Sequence, residues 1–137
     1  TELDGSAFTA AKGTLPMPAV GPIRHAFGAS RADGRLRWHG IDIAAEQGSP
    51  VTAVFRGRII FSDWLRGFGL LTIVDHGSDY MTLYGHADVL YKKVGDWVES
   101  GEVIAGAGNS GGTQDTGIYF EVRHKGDAKD PISWVAR

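Results

Sequence analysis

His39 and Asp42 stand three residues apart in the stretch RLRWHGIDIAA, and both are residue types that ligate zinc. A hydrolytic zinc site typically needs three ligands from histidine, aspartate or glutamate, with an open position for water. In an extended chain, residues three apart point to opposite faces, so Trp38 rather than His39 shares the face of Asp42. Two interpretations remain: the pair ligates one ion from an irregular loop, or His39 is an exposed loop residue beside a structural aspartate. The spacing favours the second.

The strand-like segment GIYFEVRH near the end of the chain lacks the imidazoles that a β-built zinc site would use. By alternation, Gly117, Tyr119, Glu121 and Arg123 share one face of this segment. An H-x-H pair on that face would supply two imidazoles, and none is present. His124 falls on the other face, where we expect it to be exposed to solvent.

The elements that position these residues are mostly β. The 20 glycines are spread along the chain between β-branched and aromatic runs, a pattern typical of short strands and tight turns. In residues 49–64 the apolar positions alternate, which predicts that Ile59 and Phe61 face the same side. We predict a two-layer antiparallel β fold in which one polar and aromatic face lines a central groove.

The segment YMTLYGH, residues 80–86, shows the clearest alternation. Met81 and Leu83 face one way, whereas Tyr84 and His86 face the other. We therefore expect Tyr84 and His86 to form one wall of the groove together.

The domain is predicted to span residues 16–137, because prolines favour extended chain from Pro16 onward. Residues 1–15 lack a sustained apolar period and are predicted to be a linker or loosely docked N-terminal arm. The sequence begins at Thr1 without a methionine, so we expect it to be a fragment of a longer protein.

Composition excludes several classes of function. The net charge of −2 and the lack of a basic run argue against nucleic-acid binding. No apolar stretch approaches the roughly 20 residues that span a bilayer. The absence of cysteine rules out disulfides and thiolate metal sites.

Five segments closely resemble the LytM-type, lysostaphin-like zinc metallopeptidase domain, in order and at family-like spacing from about Pro16 to Val135. They are HGIDIAAEQGSPVTAVFRGRII, GLLTIVDHG, TLYGH, VGDWVESGEVIAGAGNSGG and YFEVR. The resemblance implies the LytM/lysostaphin-like fold with its central groove.

The resemblance also implies where the zinc site of active members would fall. The three zinc ligands of active members are a histidine, an aspartate and the second histidine of an H-x-H motif, and they fall on Trp38, Asp42 and Tyr119. The first histidine of the H-x-H motif falls on Gly117. The histidine of the LYGH motif is His86. Two of the three ligand positions are lost. We therefore predict no bound metal, no cofactor and no peptidase activity.

Within this family the stretches RW-x-G, SDWLRGFG and IYFEVR resemble the degenerate LytM domains of the EnvC group of murein hydrolase activators. This implies a periplasmic, division-associated protein that cuts no cell wall itself. It would activate N-acetylmuramoyl-L-alanine amidases by holding the helix that blocks their active site. Peptidoglycan would be a second partner, and a segment absent from this chain would reach the membrane complex of the division machinery.

The vacated cleft is the predicted partner site. Tyr119 and Arg123 share one strand face and can reach a single bound segment, Tyr84 and His86 offer a second wall, and Phe68 caps one end. Arg123 suits a carboxylate on the partner. The predicted groove set is Trp38, His39, Asp42, Phe68, Tyr84, His86, Tyr119 and Arg123.

Structural alternatives remain for several of these residues. The alternatives are packing in the core or at the rim for Tyr84 and Phe68, a solvated charge on the sheet face for Arg123, and a plug of the old metal pocket for Trp38. Asp42 and His86 are expected to persist as a structural hydrogen bond rather than as catalysts. Two other functions also stay open: a residual zinc endopeptidase using Asp42, His86 and a shifted His39, and a module that binds peptidoglycan without cutting it.

Overall fold

The computed structural model describes residues 3–32 and 34–136, which form one short helix and antiparallel sheets. The prediction of a mostly β antiparallel fold is confirmed. In chain order the elements are α1 (Gly5–Ala10), β1 (Ile23–His25), β2 (Ser30–Arg31), β3 (Leu36–Arg37), β4 (Ile41–Ala44), β5 (Pro50–Thr52), β6 (Gly57–Leu65), β7 (Gly69–Gly77), β8 (Tyr80–Ala87), β9 (Val89–Leu90), β10 (Trp97–Val98), β11 (Val103–Gly106), β12 (Gly117–His124), β13 (Asp127–Lys129) and a 3₁₀ turn (Pro131–Ser133).

An eight-stranded sheet in the order β1-β4-β12-β8-β7-β6-β10, with β13 beside β12, is the main layer of the molecule. A three-stranded sheet, β5-β11-β9, packs on one face of it. Strand β12 contributes Ile118, Phe120 and Val122 to the core between the two sheets, and Val51 of β5 and Ile104 of β11 meet them from the smaller sheet. In the described residues, no helix is long and apolar enough to span a membrane.

The other face of the large sheet, which carries Tyr119, Glu121 and Arg123, is not covered by the small sheet. The cross-strand pairs form one row of residues across this face. Phe61 is paired with Ile73, Ile73 with Leu83, and Leu83 with Glu121. Directly paired residues point to the same face of a sheet. Phe61 therefore lies on the uncovered face, opposite the buried Ile59.

Two irregularities explain where simple alternation failed. A register shift between Ile59 and Phe61 sends these two side chains to opposite faces, so the prediction that they share a face was wrong. A second shift occurs where β7 meets the end of β8, and His86 there adopts a left-handed backbone with φ of 63°. This second shift separates Tyr84 from His86.

Residues 3–15 pack against the core, so the expectation of a linker or loosely docked arm was wrong for this part of the chain. Phe8 on α1 is fully buried, and its ring stacks on Trp134 with 4.8 Å between centroids. Leu15 is also buried and belongs to the same core cluster. The apolar side chains of Phe8 and Leu15 dock this segment against the core. Two such residues produce no sustained apolar period in the sequence.

A directed chain of hydrogen bonds crosses the core under α1. The Val54 N–H donates to the Tyr84 hydroxyl oxygen at 3.1 Å, and the Tyr84 and Thr82 hydroxyls are 2.8 Å apart. His76 Nε2 lies 2.8 Å from the Thr82 hydroxyl, and His76 Nδ1 lies 2.9 Å from the Arg56 carbonyl oxygen. Because a carbonyl only accepts, Nδ1 must carry the proton, and the neutral ring accepts from Thr82 through Nε2. Every member of the chain is satisfied only while His76 is neutral.

We predict that stability falls as the pH drops below about 6.5, because burial lowers the pKa of His76 to about 4. Below pH 6.5 the unfolded chain protonates this histidine whereas the folded protein does not. The stabilisation is therefore complete above pH 6.5 and is lost progressively between pH 6.5 and 4. At pH 5 the loss is about 2 kcal/mol.

Urea unfolding at pH 7.5 and pH 5.0 measures this effect, with His76→Gln as the reference. The wild type is expected to lose about 2 kcal/mol more than the variant between the two pH values. Equal losses for the two proteins would show that His76 is not the titrating group.

Candidate functional site

A depression with a volume of about 120 Å³ on the uncovered face brings together most of the predicted groove residues. Six of the eight predicted positions line it, together with three residues that were not predicted as part of the groove. The lining residues are Trp38, His39, Phe68, His86, Tyr119 and Arg123 from the predicted set, and Arg31, Gly67 and Glu121 in addition. Asp42 lies beside the depression, and Tyr84 lies elsewhere.

The floor of the depression is a hydrogen-bonded triplet on β12. The carboxylate of Glu121 is buried and accepts from the Tyr119 hydroxyl through Oε2 and from Arg123 Nε through Oε1, both at 2.5 Å. Arg123 Nη1 also donates to the Gly126 carbonyl at 2.9 Å, and Nη2 has no hydrogen-bond partner within residues 3–32 and 34–136. Glu121 therefore fixes the direction of the guanidinium.

Tyr119 forms a floor rather than a projecting anchor, since only 5% of its surface is exposed. Burial raises its pKa far above the usual tyrosine range, and the nearby charge of Glu121 raises it further. The hydroxyl thus stays protonated and donates to Glu121. The rings of Trp38, Phe68 and His86 surround it, with centroids 5.9, 6.0 and 6.1 Å from its own.

Asp42 sits in a cluster of basic and aromatic groups from β1 and the β3–β4 region. Its Oδ2 accepts from His25 Nδ1 at 2.9 Å and lies 3.4 Å from Arg24 Nε. The His25 ring in turn stacks on Trp38, with centroids 4.6 Å apart and an interplanar angle of 11°. Asp42 therefore acts as the acceptor that orients His25 under Trp38.

The expected hydrogen bond between Asp42 and His86 is absent from the described contacts, and that expectation was wrong. His86 Nδ1 instead donates to the Ser110 carbonyl at 2.7 Å, while Asp42 is engaged by His25. Because a carbonyl only accepts, Nδ1 carries a proton in this bond and Nε2 is the ring nitrogen that Ser110 does not engage. Two retained residues of the family pattern are thus bound to different partners.

Tyr84 does not line the groove, which corrects its predicted place beside His86. Its side chain is completely buried, and burial raises its pKa to about 12. The left-handed backbone at His86 and the adjoining register shift turn the two side chains to opposite faces. The structural alternative for Tyr84, packing in the core, is the one observed.

The groups around Asp42 do not fit a zinc ion. The Arg24 guanidinium already places a positive charge beside the carboxylate, and Tyr119 faces it as the cross-strand partner. At Gly117 a Cβ atom would meet the Ile43 carbonyl oxygen at 1.9 Å, so the backbone leaves no room for an imidazole there. Over residues 3–32 and 34–136, no three histidine, aspartate or glutamate side chains converge as a metal site would require.

Three side chains in or beside the groove were not predicted from the sequence. Glu121 was placed on the correct face by alternation, but nothing marked it as buried. Arg31, whose guanidinium carbon lies 3.9 Å from the centre of a Trp38 ring, is brought in by the β2–β3 hairpin. His25 reaches Asp42 only through the β1–β4 pairing, 17 residues away in sequence.

The arrangement is suited to recognition. Two guanidinium groups, on Arg31 and Arg123, and one buried carboxylate, on Glu121, line the depression, so it carries excess positive charge. Aromatic rings form its floor and walls. Such a surface binds an acidic, partly apolar segment of a partner through charge-assisted hydrogen bonds and aromatic contacts.

Comparisons with known proteins agree with this geometry. A profile of Peptidase family M23 matches residues 36–131. The chain is 41% identical over 128 residues to murein hydrolase activator EnvC of Escherichia coli, covering 93% of this chain and 30% of that protein. It is 34% identical over 123 residues to murein hydrolase activator NlpD of the same organism, covering 89% and 31%. The chain thus spans about a third of the length of these curated relatives.

Solved structures show the same fold. A zinc-containing peptidase from Vibrio cholerae superposes with a TM-score of 0.82 at 25% identity, covering 92% of this chain and 41% of that one. The catalytic domain of lysostaphin from Staphylococcus simulans gives a TM-score of 0.73 at 20% identity and covers 96% of both chains. The chain belongs to peptidase family M23, the LytM domain family.

Proposed function

We propose that this domain is a non-catalytic activator of peptidoglycan hydrolases, specifically of periplasmic N-acetylmuramoyl-L-alanine amidases. It binds a regulatory helix of the amidase in the groove between Trp38, Phe68 and Arg123. The observation that carries this proposal is the filled cluster of ion pairs and aromatic rings at the positions where the resemblance places zinc ligands. The names of the relatives, which are murein hydrolase activators, support the same role.

The rim of the groove supplies the chemistry for a helix. No partner among the described residues engages Nη2 of Arg123, which lies beside the half-buried rings of Trp38 and Phe68. A helix that carries a carboxylate next to an apolar stripe would satisfy both kinds of group at once. The orientation of Arg123 is set before binding by Glu121, which lowers the entropy lost on docking.

Activation then requires only a preference for one amidase conformation. In the inhibited state the helix covers the zinc of the amidase, and in the active state it lies in the groove of this domain. Preferential binding of the displaced helix shifts the equilibrium toward the active state. A preference of about 3 kcal/mol changes the ratio of the two states roughly 150-fold.

We predict that the purified domain holds no stoichiometric zinc after dialysis. The Arg24 guanidinium beside Asp42 opposes a divalent cation, and the ligand positions carry Trp38 and Tyr119. Elemental analysis measures the metal directly. About one zinc per chain, lost in an Asp42→Ala variant, would contradict the assignment and favour a residual peptidase.

Arg123→Ala and Tyr119→Ala are each predicted to weaken amidase binding about 30-fold, which corresponds to about 2 kcal/mol. The first removes the charge-assisted contact, and the second removes the floor that holds Glu121 and the surrounding rings. Binding is measured by calorimetric titration, and activation by dye release from labelled cell-wall sacculi. The domain alone is expected to release no dye.

Matched controls separate the groove from general effects on the fold. Lys129→Ala removes a positive charge on β13, and the pairing of Lys129 with Val122 places it on the opposite face from Arg123. Tyr91→Ala removes a tyrosine that is 57% exposed and lies outside the groove. Folded Arg123→Ala and Tyr119→Ala proteins that bind and activate amidase like these controls would rule out the groove as the interface. Binding to sacculi without activation would instead indicate a peptidoglycan-binding module.

A further inference from the structure

A second and larger cavity, with a volume of about 410 Å³, lies where the start of α1 meets the beginning of β6 and strand β10. It shares no lining residue with the groove described above. Its size falls in the range of small-ligand sites, about 300–1,000 Å³. It is therefore a separate site whose chemistry follows from its own residues.

The wall of this cavity is aromatic and accessible. The Trp97 side chain on β10 is 49% exposed, although tryptophan usually buries most of its surface. The Arg58 guanidinium carbon lies 5.5 Å from its ring centroid and holds the indole from the neighbouring strand. Phe55 and the buried Val98 continue the apolar surface beneath it.

The remaining lining groups are polar and of both signs. Asp4 and Glu99 contribute carboxylates, which accept hydrogen bonds, and Arg56 contributes a guanidinium, which donates them. Asp4 accepts from the Ser6 N–H and hydroxyl through Oδ1, which holds its pKa below the usual range, and no donor within the described ranges 3–32 and 34–136 engages Oδ2. His76 lies at the bottom with both ring nitrogens already hydrogen-bonded, so it offers a ligand no free polar atom.

We propose that this cavity binds a neutral glycan, and that the unit recognised is one or two rings of a β-linked N-acetylhexosamine chain. A sugar ring has an apolar C–H face that packs on a flat indole and an edge of hydroxyls that both donate and accept. The lining carboxylates and guanidinium match that edge, and the carboxylates of Asp4 and Glu99 repel a phosphate or another polyanion. The apolar surface of Phe55 and Val98 suits the methyl of an acetamido group.

Such a site would hold the domain on glycan strands while the groove remains free for a protein partner. The two sites are formed by different residues. The glycan site therefore goes beyond the proposed activator role, and the two proposals can be tested independently.

Nuclear magnetic resonance titration with the N-acetylglucosamine tetramer chitotetraose tests this proposal. The expected result is saturable shifts of the Trp97 indole N–H and of backbone amides at 55–57 and 97–99, with those at 119–123 unchanged. Trp97→Ala is expected to weaken binding at least tenfold, whereas Trp97→Phe, which keeps an aromatic face, retains most of the affinity. Trp64→Ala is the matched control, since Trp64 is 54% exposed but lies outside the cavity.

Four outcomes would overturn the proposal. The first is that no resonance shifts saturably at about 10 mM sugar, and the second is that the shifted resonances all belong to the groove. The third is that folded Trp97→Ala and Trp64→Ala proteins bind the sugar with equal affinity. The fourth is that the cavity binds a free stem tetrapeptide in place of the sugar. The tetrapeptide is titrated in parallel, so recognition of peptide and recognition of glycan give different results.

Discussion

Strict alternation of side chains along β12 is the constraint on which both the core and the groove depend. Its even-numbered residues, Ile118, Phe120 and Val122, pack between the two sheets, and its odd-numbered residues form the floor of the groove. A shift of register by one residue would place the Glu121 carboxylate in the core and an apolar side chain in the groove. Pairing with β4 on one side and β8 on the other fixes this register along the strand.

The charged groups in and beside the groove stabilise one another by pairing. In a zinc peptidase the cation would draw the ligands together, whereas here Arg24 neutralises Asp42, His25 donates a hydrogen bond to it, and Arg123 neutralises Glu121. Removing one partner from a buried pair is strongly destabilising, because the remaining charge is left without compensation. These internal pairs keep the rings of Trp38 and Tyr119 in place, and the guanidinium of Arg31 at the rim is in no ion pair with another described residue. The proposed binding surface is thereby held in a fold that is shared with a zinc-containing peptidase.

Much of the fold and of the groove could be predicted from the sequence, because both depend on alternation and on family-like motifs. The β12 face and six of the eight groove residues follow from these patterns. Tyr84 and Phe61 were misplaced because each lies next to a register shift, which alternation does not reveal. His25 and Arg31 could not be predicted, since strand pairing and a hairpin bring them in from distant positions. Phe8 was missed because a single aromatic residue docks α1 and leaves no period to detect.

The most direct test of the central claim is the footprint of an amidase on this domain, read from side-chain N–H resonances. The four tryptophans sample different surfaces, since Trp38 lines the groove whereas Trp64, Trp97 and Trp134 do not. The account predicts that saturating amidase shifts or broadens the Trp38 indole and Arg123 Nε–H signals and leaves the other three indoles unchanged. Unchanged Trp38 and Arg123 signals in a complex that forms and activates the amidase would contradict it.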